Sequence, residues 1–122
     1  MRFVEGDVPT EQSGEHTDST STLWVRDDPA RPLDHASLTA MCDVFYPRAF
    51  LRLGRMLPAG TVSMTIYYHA DPDVLAAQAD RPVLATARAH RFGNGFFDQT
   101  GYLWGEGDEL FATTHQVVYF KP

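Results

Sequence analysis

The sequence predicts an α+β domain in which a curved antiparallel β-sheet wraps around one long central helix, in the order β-α-β-β-β-β. Three observations lead there. A short strand is followed by one capped, helix-periodic stretch at residues 33–46. From Gly60 to Phe120 the pattern alternates with period two and is cut by glycine-rich turns. The 122 residues hold one core comfortably and two only with difficulty.

The elements follow in order. Residues 5–22, EGDVPTEQSGEHTDSTST, are polar and carry no apolar period. Residues 1–22 are therefore expected to be a flexible leader or linker, of which only Phe3 and Val4 offer packing surface, and residues 23–122 the domain. Leu23-Trp24-Val25-Arg26 is a strand that stops at the turn-forming DDPARP. Asp34 is placed to cap a helix, and Leu33 and Leu38 stand at the spacing of a hydrophobic staple. The helix should run to about Tyr46, where Pro47 disfavours helical backbone. On it Ala36, Ala40 and Asp43 share one side, and Leu38, Met41, Cys42 and Phe45 the other.

In the second half, Val62, Met64, Ile66 and Tyr68 alternate with Thr61, Ser63, Thr65 and Tyr67, so this segment is a strand. Residues 70–82 form a turn with about one helical turn, and residues 83–92 a strand with small residues on one side. Gly93-Asn94-Gly95 makes a hairpin into residues 95–105, and GEGDE a tight turn into the last strand, Leu110 to Phe120. There Leu110, Ala112, Thr114, Gln116, Val118 and Phe120 share a face.

Composition narrows the function. The hydrophobic fraction is 43%, which is that of a globular chain rather than a disordered one. A net charge of -6 without any basic cluster argues against nucleic acid as a partner. The apolar runs are too short for a membrane span, and the first nine residues lack the apolar core of a signal peptide. With the single Cys42 making an intrachain disulfide impossible, a cytoplasmic protein is expected.

Two polar side chains stand where apolar ones are expected, Asp43 on the helix and Gln116 on the last strand. Burying a lone carboxylate is costly, so Asp43 either faces water or has a task.

These residues also carry a resemblance. From Leu23 to Phe120 the chain is similar to the second half of the acyl-CoA thioesterase II (TesB-like) family, whose chains hold two hotdog folds in tandem. LWVR resembles the family's opening strand, Asp43 falls at its helical aspartate, GTVSMTIYYHADP places Thr61 at its threonine, and ELFATTHQ places Gln116 at its glutamine. The resemblance implies a single hotdog fold and hydrolysis of acyl-CoA or acyl-carrier thioesters. It further implies that Asp43, Thr61 and Gln116 hold the attacking water, with Asp43 as general base or, alternatively, as direct nucleophile. A backbone N–H near the helix would aid the oxyanion. No cofactor is implied beyond the coenzyme A of the substrate.

The interval from Asp43 to Thr61 is shorter than in the family, which implies a trimmed connection, and the chain has no room for the first hotdog. It is accordingly expected to form a homodimer, to pair with a separate hotdog chain, or to be a truncated half. A non-catalytic subunit that binds acyl thioesters is the alternative function.

The remaining candidates are weaker in kind. Arg48, Arg52 and Arg55 recur at helical spacing and could meet coenzyme A phosphates or form a solvated basic patch. His69 and Asp71 make a pair at a strand end, and the five histidines show no metal spacing. Cys42 reads as a small core hydrophobe rather than a nucleophile.

Overall fold

The computed structural model describes residues 2–5, 19–54 and 56–121, with the side chains of residues 49, 51 and 52 excepted. Among the described residues, seven strands form one antiparallel sheet: β1 (Arg2–Glu5), β2 (Ser21–Val25), β3 (Ala59–Tyr68), β4 (Val83–Arg88), β5 (Phe92–Gly93), β6 (Phe96–Trp104) and β7 (Leu110–Phe120). The helices among the described residues are short: α1 (His35–Met41), α2 (Arg48–Leu53) and α3 (Pro72–Gln78). The spatial order is β1-β2-β4-β6-β7-β3, with β5 added beside β6. Thus β3 crosses over to an edge, next to β7 rather than β4.

The inner face is built for close approach. β4 contributes Val83, Ala85 and Ala87, and β7 contributes Ala112, all buried beneath Leu38, Met41 and Cys42 of the α1 region. Small residues in the sheet let the helix settle near the strands, and full burial of a side chain such as Leu38 stabilises by about 1.5–3 kcal/mol. A smaller cluster of Phe97, Val118 and Phe120 packs with Leu53 and Phe92.

The hairpin at Asn94-Gly95 takes positive φ at both residues, 55° and 78°, the pairing that matches the twist of the flanking strands. At the other hairpin, the ring of Phe111 occupies the space beside Gly105, where an added Cβ would come within 2.0 Å of it.

Two expectations change. The leader is partly structure: Arg2–Glu5 pairs with β2, Phe3 packs near the Tyr46 ring at 6.1 Å, and β2 begins at Ser21. Residues 6–18, the rest of the expected leader, lie outside the described residues. The central helix is also shorter than its pattern suggests. Asp34 caps it as expected, accepting from the Ser37 N–H at 2.8 Å, with Leu33 and Leu38 both buried as the staple. It ends at Met41, where bonds from Asp43 N–H to Ala40 O (3.2 Å) and Val44 N–H to Met41 O (3.4 Å) tighten the last turn. Pro47 prevents the helix from continuing, and α2 starts beyond it.

Candidate active site

Ending the helix at Met41 moves Asp43 off a helical face and into the turn between α1 and α2. The carboxylate is exposed there, so it carries no burial cost. It stands at a recess of about 220 Å³ between that turn and the edge of the sheet, with Phe45, Pro47 and Val118 as apolar walls. The polar lining consists of Asp43, Thr61, Gln99 and Gln116.

Thr61 reaches this face through a fault in the strand. From Met64 to Tyr68, β3 pairs regularly with Gln116 to Ala112 of β7, and the register breaks between Thr61 and Ser63. Thr61 stands opposite Val118 and Ser63 opposite Val117, leaving Val62 as the extra residue of a bulge, 62% exposed. Regular alternation would put Thr61 on the face away from Met64 and Gln116. The bulge turns it inward, and its hydroxyl donates to Gln116 Oε1 at 3.0 Å.

Gln116 is 2% exposed, and with Oε1 taken by Thr61 its Nε2 is left without a partner. Directly across the ladder on β6 is Gln99, 3% exposed, with its Oε1 also unpartnered. Gln99 is not among the sequence-predicted residues, although the alternation Phe97, Gln99, Gly101, Leu103 marks a polar side chain on an apolar face. The recess thus offers a carboxylate, a buried free donor and a buried free acceptor. A larger groove of about 580 Å³ beside Trp24 and Arg26 has no such convergence of buried, unpartnered polar atoms.

Charge near the recess acts on Cys42. Burial, and secondly the Asp43 carboxylate, push its thiol up to about 11. It stays protonated at neutral pH, as befits a core residue rather than a nucleophile. Asp43 itself follows the C-terminal end of α1, the negative end of its dipole, so α1 does not present its positive end to an oxyanion there.

The other candidates fall elsewhere. Arg48 is fully buried, which overturns its reading as a surface contact for phosphates. Its Nη1 donates to Ser19 O (2.9 Å) and Ser21 Oγ (2.6 Å), its Nη2 to Tyr46 O (2.9 Å), and the guanidinium lies 4.4 Å from the Tyr46 ring centre. It fastens β2 to the segment that follows Asp43, and burial lowers its pKa to about 10. The side chain of Arg52, and Arg55 altogether, lie outside the described residues. His69 is exposed and its Nε2 lies 2.9 Å from Thr113 Oγ1, away from the residues lining the recess. Among the described residues no group of three or more His, Cys, Asp or Glu is placed to hold a metal ion.

Comparison with known proteins agrees with this architecture. The solved structure of a conserved hotdog protein of unknown function from Alicyclobacillus acidocaldarius is 45% identical and superposes with a TM-score of 0.91, over 99% of this chain and 44% of that one. A putative thioesterase II from Thermobifida fusca YX is 20% identical with a TM-score of 0.68, covering 88% of this chain and 39% of that one. A Streptococcus mutans UA159 protein, solved bound to acetyl-CoA, is 12% identical with a TM-score of 0.62, covering 98% of this chain and 87% of that one. The chain therefore spans less than half the length of the first two. No functionally curated protein matches the sequence. The fold is a single hotdog, and the family model for the acyl-CoA thioesterase C-terminal domain matches residues 2–120. The chain belongs to that family.

Proposed function

We propose that this chain hydrolyses acyl-CoA thioesters, with Asp43 as general base. The observation that carries the reading is one small recess containing Asp43, Thr61 and Gln116, with the Thr61–Gln116 hydrogen bond fixing the amide. Asp43 accepts a proton from a water whose oxygen accepts from Gln116 Nε2. The new C–O bond forms as the carbonyl becomes an oxyanion, which then collapses, breaking the C–S bond. The thiolate leaves and takes up the proton held by Asp43. Because the Thr61 hydroxyl proton is already given to Gln116, Thr61 acts by orienting that amide.

The substrate assignment rests on family membership and on the coenzyme A thioester held by the Streptococcus mutans relative. Acyl-carrier thioesters are the same chemistry on another thiol. The working unit is a homodimer or a pair with a second hotdog chain. Edge strand β3, ten residues long, supports this, since it exposes Val62, Tyr67 and Tyr68 beside a backbone edge that no other strand among the described residues pairs with. The setting is cytoplasmic, where Cys42 stays reduced.

The test is thiol release from a series of acyl-CoAs of increasing chain length, run in heavy-oxygen water. Release with label in the free acid and none in the protein after one turnover supports a general base. Label in Asp43 would instead mean an anhydride. The exposure of the Asp43 side chain, outside the buried part of the recess, favours a second reading, a non-catalytic subunit that binds acyl thioesters. That reading predicts acyl-CoA binding by calorimetry without release.

A further inference from the structure

We infer that Gln99 is a further member of the water site, accepting the second hydrogen of the attacking water. The inference rests on the hydrolytic reading and adds to it a residue that the sequence pattern did not single out.

Gln99 and Gln116 stand opposite each other on adjacent antiparallel strands, where side chains on one face come into contact. Both are nearly fully buried, and both line the recess at whose rim Asp43 stands. Their free atoms are complementary: Gln116 Nε2 is a donor and Gln99 Oε1 an acceptor, each without a protein partner. Buried polar atoms are rarely left so, and two that converge on one small recess describe a polar guest. The recess has room for a water, and a water needs two to four such partners.

The hydrogen-bond count of a nucleophilic water fits this set. One hydrogen goes to Asp43, the base. The other goes to Gln99 Oε1. One lone pair accepts from Gln116 Nε2, and the remaining lone pair is left for the carbonyl carbon. Without Gln99 the second hydrogen has no assigned acceptor, and the water is free to rotate its reactive lone pair away from the substrate.

The experiment measures kcat and KM for thiol release by the wild type, Asp43→Asn, Gln99→Met and Gln99→Glu at matched folded fraction. Gln99→Met keeps the volume and removes the acceptor. Its kcat is expected to fall by about tenfold to a hundredfold with KM nearly unchanged, as for loss of an interaction made with the reacting water. Gln99→Glu restores an acceptor, so kcat should recover toward the wild type as pH rises and its carboxyl ionises. A residue that only fills space would show neither the recovery nor the new titration.

Wild-type activity that Asp43→Asn loses and Gln99→Met retains would overturn the role of Gln99 and leave the hydrolytic reading standing. A fall in Gln99→Met that Gln99→Glu does not reverse at any pH would overturn it as well. A wild type without thiol release would overturn both.

Discussion

The Thr61 hydroxyl donates to Gln116 Oε1 at 3.0 Å, across a strand pair in which simple alternation would have kept the two side chains on opposite faces. The bulge at Val62 makes the contact possible. Deleting Val62 should remove the bulge and leave Thr61 two positions from Met64 and opposite Val118, on the same inward face, so the contact with Gln116 should survive the deletion. Thr61→Val keeps the register but leaves Gln116 Oε1 buried without a donor, at a cost of about 1–3 kcal/mol. Thr61→Ser should keep both stability and thiol release, whereas Thr61→Val should lose release by about tenfold or more. Denaturant midpoints and initial rates on the same preparations check this. Equal rates for Thr61→Ser and Thr61→Val would remove the hydroxyl from the mechanism.

That bulge also marks the limit of what the sequence displays. The period of two from Met64 to Tyr68 was legible, as were the cap at Asp34, the Asn94-Gly95 hairpin and the inward set Ala112, Thr114, Gln116, Val118 and Phe120 on β7. Each of these depends on neighbours within a few residues. The bulge depends on which residue of β7 faces Thr61, a long-range pairing that no local pattern encodes. The early end of α1 is hidden in the sequence for a related reason. Asp43, Val44 and Phe45 fit a helical period, and the tightening of the turn at Ala40–Val44 shows only in the hydrogen bonds. Arg48 has the spacing of a surface basic stripe with Arg52 and Arg55, yet it turns inward to the carbonyls of Ser19 and Tyr46. For Gln99 the alternation shows a polar residue on the inward face of β6, and only the cross-strand pairing with Gln116 joins it to the recess.

Gly105 lies against the Phe111 ring so closely that an added methyl group would meet ring carbons at 2.0 and 2.6 Å. Phe111 is 2% exposed and belongs to the core. Gly105→Ala must therefore displace the ring, and should destabilise by about 1–3 kcal/mol, the usual range for overpacking. Thermal unfolding would register this as a lower Tm, and an unchanged Tm would mean that the ring has room to move.

At pH 8 a thiol with a pKa of about 11 is ionised in about one molecule per thousand. Cys42 should therefore resist a thiol-labelling reagent in the native protein and react promptly in denaturant. Asp43→Asn removes one of the two causes of the raised value and leaves burial, the larger, in place. Labelling of that variant should be faster than in the wild type but still far below the unfolded rate. Prompt labelling of the native wild type would contradict the burial of Cys42.

Asp98 is held by the N–H groups of Arg91 and His90, each at 2.8 Å, and by His90 Nδ1 at 2.9 Å. Partial burial opposes ionisation, but the hydrogen bonds from Arg91 and His90 outweigh it and lower the Asp98 carboxyl below 3.8. A folded pKa below the unfolded one contributes stability that is present above the unfolded value and lost as pH falls through the folded value. Asp98→Asn should thus be less stable than the wild type at neutral pH, and the gap should close under acid conditions below about pH 4. Urea midpoints at the two pH values measure it. A gap that stays constant with pH would assign the effect to packing.

The most direct test of the proposed hydrolysis is the rate of thiol release by Asp43→Asn relative to the wild type, at matched folded fraction and saturating acyl-CoA. Loss of the general base should cost about a hundredfold or more in kcat, while acyl-CoA binding and the fold are kept. Asp43→Asn releasing thiol as fast as the wild type would contradict the assignment, because the recess would then hold its water without the carboxylate.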